Sequence, residues 1–593
     1  MPDQPPVKIE STRGLASRLR LTSARSIACA ALGGAAIALA TQFALAHHAG
    51  IPVVGLGFVV AAMLFGLAAR GSAGDETPAG APSSRVPLAW EIALGAAVGA
   101  LALFFRAYRF GDFPPGLWYD EAVNGVEALT ILHNHTIVLW SESNDGRATL
   151  FLYLLAGAIK LFGTSEAALR VVPVAAGMGA VIAFYFLARR LLTREAALAA
   201  AALFAVSRWA VTFSRIAWEA ALVPVIEITS IYLLLRAIET RSRICFALGG
   251  VALATGLYTY VAFRMVPVVV LFMLAYIALR ERDLLRRNAA GLAVFAAAFV
   301  LAAAPIGAYA LAHPDRVLAR TRKVSVTSEI QDRGSVRPLW SNAVSSLKMM
   351  NAAGDRNGRS NLPGEPMVDA VTAALLVLGA AASALALREW RRGMLLGWLV
   401  LALVPGALTI TAGNPSGIRG LGALAPLFLL AGLAIETLQR ALLPFARGRL
   451  VFAALVLVAI GGAAAINYDT FFERQAGDRR VYDAFAPLYG HAAEFVARQD
   501  ASKHVYLSSG LAAHPAVAVL ADGARFSTYD VASTRLERDG RDAVVVLAPG
   551  ELLLFGTFQH RFQEDHNDPF GRPEFIVFTI PAADIAAATY DGP

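Results

Sequence analysis

The feature that most constrains this chain is a series of long apolar runs, most of them closed by a short cluster of arginines. Apolar runs of about 17–23 residues are long enough to cross a bilayer as helices. Inside hydrocarbon the helix also satisfies its own backbone N–H and C=O groups. The chain is 57% hydrophobic and only 16% charged, with a mean hydropathy of +0.55. Soluble domains carry about 25% charged residues. A polytopic α-helical membrane protein is therefore expected, rather than a soluble enzyme with one anchor. The net charge of +8 fits the positive-inside pattern, because its arginines cluster between apolar runs. No nucleic-acid partner is expected. Cys29 and Cys245 lie in or beside apolar runs and have no metal-ligand spacing.

The polar, basic tail 1–25 precedes apolar runs at 26–45 and 51–69, so 1–70 reads as a cytoplasmic tail plus a transmembrane hairpin. His47 and His48 mark its turn. Residues 71–86 are rich in Gly, Pro and Ser and form a linker. The main body, 87–466, begins with a run at 87–105. Basic clusters follow at Arg189-Arg190-Arg194, Arg236-Arg241-Arg243, Arg280-Arg287, Arg388-Arg392 and Arg440-Arg449. If each is cytoplasmic, the runs between them cross in pairs. The spans total about 13, and the C-terminus is extracytoplasmic. Thr149–Phe162 is too short to cross and reads as a helix lying on the membrane surface. Long outer loops then occupy 106–166 and 312–366, and 467–593 forms a small extracytoplasmic α/β domain. In that domain, a helix is expected over Tyr482–Arg498. Strands are expected at His504–Leu507, Ala516–Leu520, Ala543–Leu547, Leu552–Phe555 and Glu574–Ile580.

Polar chemistry in such a chain is confined to its outer loops. The first of these carries Trp118-Tyr-Asp-Glu-Ala122, directly after a span. Asp120 and Glu121 point about 100° apart on a helix, so they suit separate tasks. One can act as a base while the other takes a metal, a hydrogen bond or an arginine. Asp120 can also serve as N-cap to a helix starting at Ala122. Contact with Trp118, Tyr119 and lipid would desolvate the carboxylate and raise its basicity toward that of a general base. Arginines at outer positions run against the positive-inside bias. Arg147, Arg170, Arg208, Arg215, Arg264 and Arg419 can snorkel singly, but as a converging set they suit phosphate. Lys160 and Glu166 suit interfacial anchoring and local pairing. His133 and His135 stand two apart and face different ways on a helix, which does not suit a metal pair.

At these motifs the chain resembles the GT-C glycosyltransferases. The likeness is to the family 39-like group, which holds protein O-mannosyltransferases and bacterial aminoarabinose transferases of lipid A. The resemblance is carried by Trp118-Tyr-Asp-Glu-Ala122, Gly146-Arg-Ala-Thr-Leu-Phe-Leu-Tyr153 and Leu161-Phe-Gly-Thr-Ser-Glu-Ala-Ala-Leu-Arg170. Ser214-Arg-Ile216 with Pro224, Leu257-Tyr-Thr-Tyr-Val-Ala-Phe-Arg264 and Pro415-Ser-Gly-Ile-Arg-Gly420 complete it. It implies inverting transfer of a sugar from a polyprenyl-phosphate donor on the extracytoplasmic side. Asp120 would be the base, and Glu121 would orient the acceptor or a metal. Arg147, Arg264 and Arg419 would stabilise the leaving phosphate, and Arg170, Arg215 and Tyr258 would join the binding site. A divalent cation at Asp120 and Glu121 is possible, since not all relatives need one; no other cofactor is implied. Where aminoarabinose transferases carry a Lys-Pro-Pro-like segment, this chain has Gly-Arg-Ala-Thr, so Arg147 takes the lysine's place. The expected partners are the donor, membrane lipids and a lipid, glycan or protein acceptor. The C-terminal segment lacks MIR-type repeats, which gives no support to a protein acceptor.

Two other classes of function make different demands. A transporter or flippase of lipid-linked sugar needs charged residues in mid-span or broken helices in repeated halves. Glu227 is one buried-run acid, without a repeat. An envelope-assembly scaffold needs no convergence of the outer carboxylates and arginines.

Overall fold

A computed structural model describes residues 23–46, 51–72, 87–135, 138–530, 534–554 and 562–585. The tail 1–22, the His47-His48 turn and linker residues 73–86 lie outside them. Among the described residues, nine helices are long and apolar enough to cross a membrane. They include α1 (Ala24–Ala46), α2 (Ile51–Ser72), α3 (Leu88–Ala107) and α6 (Glu166–Leu191). The expected total of about 13 would add the shorter helices α7 (Arg194–Val206), Arg243–Gly256, Ala370–Leu385 and Trp390–Ala407.

Packing in lipid depends on close approach more than on hydrophobicity, so small residues mark the contacts. Helix Leu424–Leu442 is the hub, with 94% of its apolar window enclosed, whereas α3 and Ala289–Ala312 are only 11% enclosed and form the rim. At Gly379 an added Cβ would meet the Leu430 carbonyl, and at Gly432 it would meet Leu192 and Ala200. Helix α7 is buried without a break from Ala196 to Val206. Its alanines let it lie against the hub.

Charge pairs fix one end of the bundle. Glu91, near the start of α3, takes Arg189 and Arg194, each at 3.1 Å. Glu239 takes Arg190 at 2.8 Å and Arg391 at 3.2 Å. Basic clusters far apart in sequence thus share acids at one end. A helix rises 1.5 Å per residue, so the far end of α3 lies about 25 Å away, and there the acidic loop begins.

Both long loops, 106–166 and 312–366, carry secondary structure among the described residues. Helix α4 (Tyr119–Asn134) and α5 (Leu150–Phe162) build the first; the strands β1 (Trp140–Ser141) and β2 (Arg147–Ala148) pair between them. The loop 312–366 carries helices Pro314–Val324, Thr327–Arg333 and Arg337–Asn351. It docks on the first loop through Arg320 and Lys323 on Asp145 (3.2 and 2.9 Å).

After Asn467 the chain forms β3 (His504–Ser508), β4 (Ser527–Tyr529), β5 (Ala543–Leu547), β6 (Gln563–Asn567) and β7 (Pro573–Ile580) in one sheet of order β4-β3-β5-β7-β6. β3 is parallel to β4 and β5, and β7 is antiparallel to β5 and β6. Three expected strands match. The run Ala516–Leu520 is instead a helix from Pro515 to Leu520, because Pro515 sits at its first turn and His514 caps it. Pro549–Leu554 is a 3₁₀ turn where a strand was expected. The expected helix over Tyr482–Arg498 is two, Arg479–Phe485 and Leu488–Ala497, broken at Ala486 and Pro487.

This sheet region shares a core with the first outer loop. Leu117, Ala122 and Leu129 of the acidic loop pack with Val496, Val519 and Val546. Gly116 has a φ of +64°, and a Cβ there would lie 2.3 Å from the Pro487 Cα. The Gly116→Ala substitution is expected to cost on the order of 2–3 kcal/mol. It should also expose the 475–488 junction to limited proteolysis. Gly111→Ala, in open space, should change neither the unfolding midpoint nor the cleavage pattern.

Candidate functional site

Helix α4 begins at Tyr119, with Trp118 as its N-cap and no side-chain cap hydrogen bond. Asp120 is therefore inside the first turn and is not the cap. Its carboxylate is half-buried and faces a cleft lined by Trp140, Arg147, Glu219, Tyr260, Arg264 and Arg320. No arginine lies within ion-pair distance of it among the described residues. Burial raises the Asp120 pKa, opposed by the positive charges of Arg359, Arg147 and Arg320. A carboxylate in that state is a base that has lost much of its water and holds a hydrogen bond from Asn144 but no ion pair.

Glu121 has a different environment. It is fully buried and accepts the Ala217 N–H at 2.6 Å and the Arg170 Nε at 3.4 Å. Asn124 binds the Ala217 carbonyl at 2.8 Å. Together they strap the turn before Glu219 onto α4. Glu121 thus offers no ligand to a divalent cation beside Asp120, and the adjacent acids form no chelate. Its expected acceptor- or metal-orienting role is replaced by a structural one. Among the described residues the metal-compatible cluster is His504, Glu537 and Asp539, on the C-terminal sheet, where Arg541 already binds Asp539.

The arginines divide in the same way. Arg170 gives its remaining N–H groups to the carbonyls of Pro114 (2.8 Å) and Gly116 and to Glu166 (3.1 Å). Arg215 donates to the carbonyls of Phe105, Arg106, Tyr108, Arg109 and Phe113. Both are consumed in holding residues 105–116, so neither is free for an anion. Arg208 is likewise committed, to Asn361 and the Pro366 carbonyl. Tyr258 points away from the cleft, with its hydroxyl on the Ala302 carbonyl at 2.8 Å. The neighbouring residue Tyr260 lines the cleft instead.

Arg147 is the opposite case. Its Nη2 meets Glu127 at 3.3 Å and Ser143 Oγ at 3.1 Å. Its Nε and Nη1 are buried and have no partner. Arg264 makes only long contacts, at 3.4 Å, to Thr321 and the Val317 carbonyl. Arg419 stands beside Tyr260 and reaches the Gly413 carbonyl at 3.3 Å. Incompletely bonded guanidinium groups in a cleft are suited to a phosphate.

Three groups escaped the sequence. Glu219, 7% exposed, has a partnerless Oε2 at the cleft. Its signal was an acid at the mouth of an apolar run. Arg359 lies 4.2 Å over the Trp118 ring and is the strongest charge acting on Asp120. Asp355 binds the Gly417 N–H at 2.8 Å and so joins the second loop to the Pro415–Gly420 turn. Only tertiary structure brings the last two near α4.

Residues 147–309 match the model of the family described as dolichyl-phosphate-mannose-protein mannosyltransferase. Comparison with curated proteins finds no match. Among solved structures, the chain resembles ArnT from Cupriavidus metallidurans bound to undecaprenyl phosphate. The TM-score is 0.55 at 12% identity, over 83% of this chain and 98% of that one. For the apo state of the same protein the TM-score is 0.53 at 12% identity, over 84% and 98%. The oligosaccharyltransferase AglB from Archaeoglobus fulgidus follows at 0.47 and 14%, over 85% and 75%. The protein is thus a multi-pass membrane protein that shares the GT-C fold of ArnT, and its residues 147–309 resemble that mannosyltransferase family.

Two measurements separate the roles. Arg170→Met leaves Glu121 buried without its partner and should cost about 3–5 kcal/mol, read as loss of folded protein in detergent. Arg147→Met breaks the contacts to Glu127 and Ser143 and should lower the unfolding midpoint less than Arg170→Met does, while weakening polyprenyl-phosphate binding at least tenfold. The protonated form of Asp120 cannot accept a proton, so kcat/KM should fall as pH drops through its raised pKa. Arg359→Gln removes an opposing positive charge, raises that pKa further and should move the acidic limb of the profile to higher pH. An unmoved limb would place the titration elsewhere.

Proposed function

Starting from the GT-C fold, we propose that this protein is a membrane glycosyltransferase. It transfers a hexosyl or pentosyl group from a polyprenyl-phosphate donor to a hydroxyl or amine, with inversion. The observation that carries this reading is the pairing of Asp120 with Arg147 on one cleft. The first is a half-buried carboxylate without an ion pair, and the second has two buried N–H groups without acceptors.

Asp120 takes the proton from the acceptor as its oxygen or nitrogen attacks the anomeric carbon. The C–O bond to the lipid phosphate breaks on the opposite face, and its electron pair leaves with the phosphate. Arg147 and Arg264 meet the developing charge, where fixed donors in a water-poor site contribute most. Arg419 and Tyr260 close the far wall. The free oxygen of Glu219 receives hydrogen bonds from the donor sugar. No step requires a metal. The cleft and the C-terminal sheet face the extracytoplasmic side of the cell (inner) membrane, because the basic clusters gather at the other end of the bundle.

In cells lacking this protein, mass spectrometry should detect an accumulated polyprenyl-phosphate sugar and a missing envelope glycan. Wild-type protein should clear the accumulated donor. Asp120→Asn, expressed and folded to the same level, should not, with transfer reduced at least 10³-fold. Clearance by that variant would remove Asp120 from the chemistry.

A further inference from the structure

The loop from Ala352 to Asp369 brings Arg359 against the acidic helix, and it is firmly held there. Asp355 accepts the Asn357 and Gly417 N–H groups, each at 2.8 Å. Asn361 binds the Asp355 and Glu365 carbonyls at 2.9 and 2.6 Å. Arg208 bonds Asn361 and the Pro366 carbonyl from below. At the root of the loop, Gln42 of α1 binds the Asn351 carbonyl at 2.7 Å.

Two donors at the tip of this arrangement are unused. Trp118, 4% exposed, buries its Nε1–H without an acceptor. Arg359 buries its Nε–H without an acceptor, while its guanidinium carbon stands 4.2 Å from the Trp118 ring centre. Leaving a buried donor unpaired costs about 1–3 kcal/mol. Here two such donors lie next to each other and next to the base. Neither belongs to the arginine set of the donor phosphate.

Building on the glycosyltransferase reading, we propose that Arg359 and Trp118 form the acceptor subsite, and that it takes a neutral, hydroxyl-rich sugar. The two N–H groups bind ring or hydroxyl oxygens of the acceptor and present a neighbouring hydroxyl to Asp120. Asp120 and Asp355 act electrostatically on Arg359, so its charge is already offset and a carboxylate placed against it would meet two acids. A neutral polyol satisfies both donors without that repulsion.

The full-length protein in detergent micelles tests this with matched probes: methyl glucoside, methyl galactoside and methyl mannoside, their C6-carboxylate analogues, and a serine-containing peptide. Binding is read by saturation-transfer NMR titration, with polyprenyl phosphate titrated in parallel. At least one neutral glycoside should bind tenfold or more tighter than its carboxylate analogue and than the peptide. Arg359→Gln and Trp118→Phe should each weaken that glycoside at least tenfold, with polyprenyl-phosphate affinity unchanged within twofold. Arg359→Lys keeps the charge but not the Nε–H, and should not restore binding. Rescue by lysine would assign Arg359 to electrostatics alone and overturn the subsite. So would tighter carboxylate or peptide binding, no glycoside binding, or unaltered affinity in both variants. Loss of polyprenyl-phosphate binding in the wild type would instead defeat the glycosyltransferase reading itself.

Discussion

The contact on which the cleft-bearing half of this molecule depends is the buried pair of Glu121 and Arg170. Removing two charges from water is costly, and the pair is tolerable because both are fully bonded. Glu121 receives the Ala217 N–H as well as Arg170. Arg170 also binds the carbonyls of Pro114 and Gly116. One ion pair therefore joins the loop after the first core span, the acidic helix, the head of α6 and the turn that presents Glu219. Arg215 repeats the device one turn away, collecting carbonyls from Phe105 to Phe113. The groups that line the cleft are placed by these committed charges.

The same arrangement separates two adjacent acids chemically. The helical step of about 100° per residue turns Glu121 into the protein and Asp120 toward the cleft. The first is neutralised by a partner, and the second is left facing the cleft. Arginines show the matching division. Arg170, Arg208 and Arg215 are saturated with protein acceptors, whereas Arg147 keeps two N–H groups unused. Binding capacity in this cleft follows from unmet hydrogen bonding more than from charge count.

Much of the architecture was legible in the chain because membrane helices carry their own signal: apolar length and flanking arginines. The clusters at Arg189 to Arg194 and at Arg391 do gather at one end of the bundle around Glu91 and Glu239. Asp120 and Arg147, both singled out in the sequence, line one cleft in the structure. The fate of Arg170 and Arg215 was not legible, because a sequence does not distinguish an arginine facing an anion from one enclosed by carbonyls. Nor does the sequence say which ring of Tyr258 and Tyr260 meets the cleft: the Tyr258 hydroxyl binds the Ala302 carbonyl, and Tyr260 lines the cleft. Arg359 lay in a loop rich in Gly, Asn and Pro, and only the bonds of Asp355 and Asn361 bring it to Trp118. The strand expected at Ala516–Leu520 was lost to Pro515, which initiates a helix whose Val519 packs on Gly125.

The central claim is that Arg147, which keeps Nε and Nη1 unbonded, and not the fully bonded Arg170 and Arg215, receives the lipid phosphate beside Asp120. A cryo-electron microscopy structure of the full-length protein with bound polyprenyl phosphate tests it most directly. The account expects phosphate oxygens within hydrogen-bond distance of Arg147 Nε and Nη1, with Arg170 and Arg215 still on their carbonyls. A phosphate bound to Arg170 or Arg215, or one outside the cleft that Asp120 lines, would contradict it.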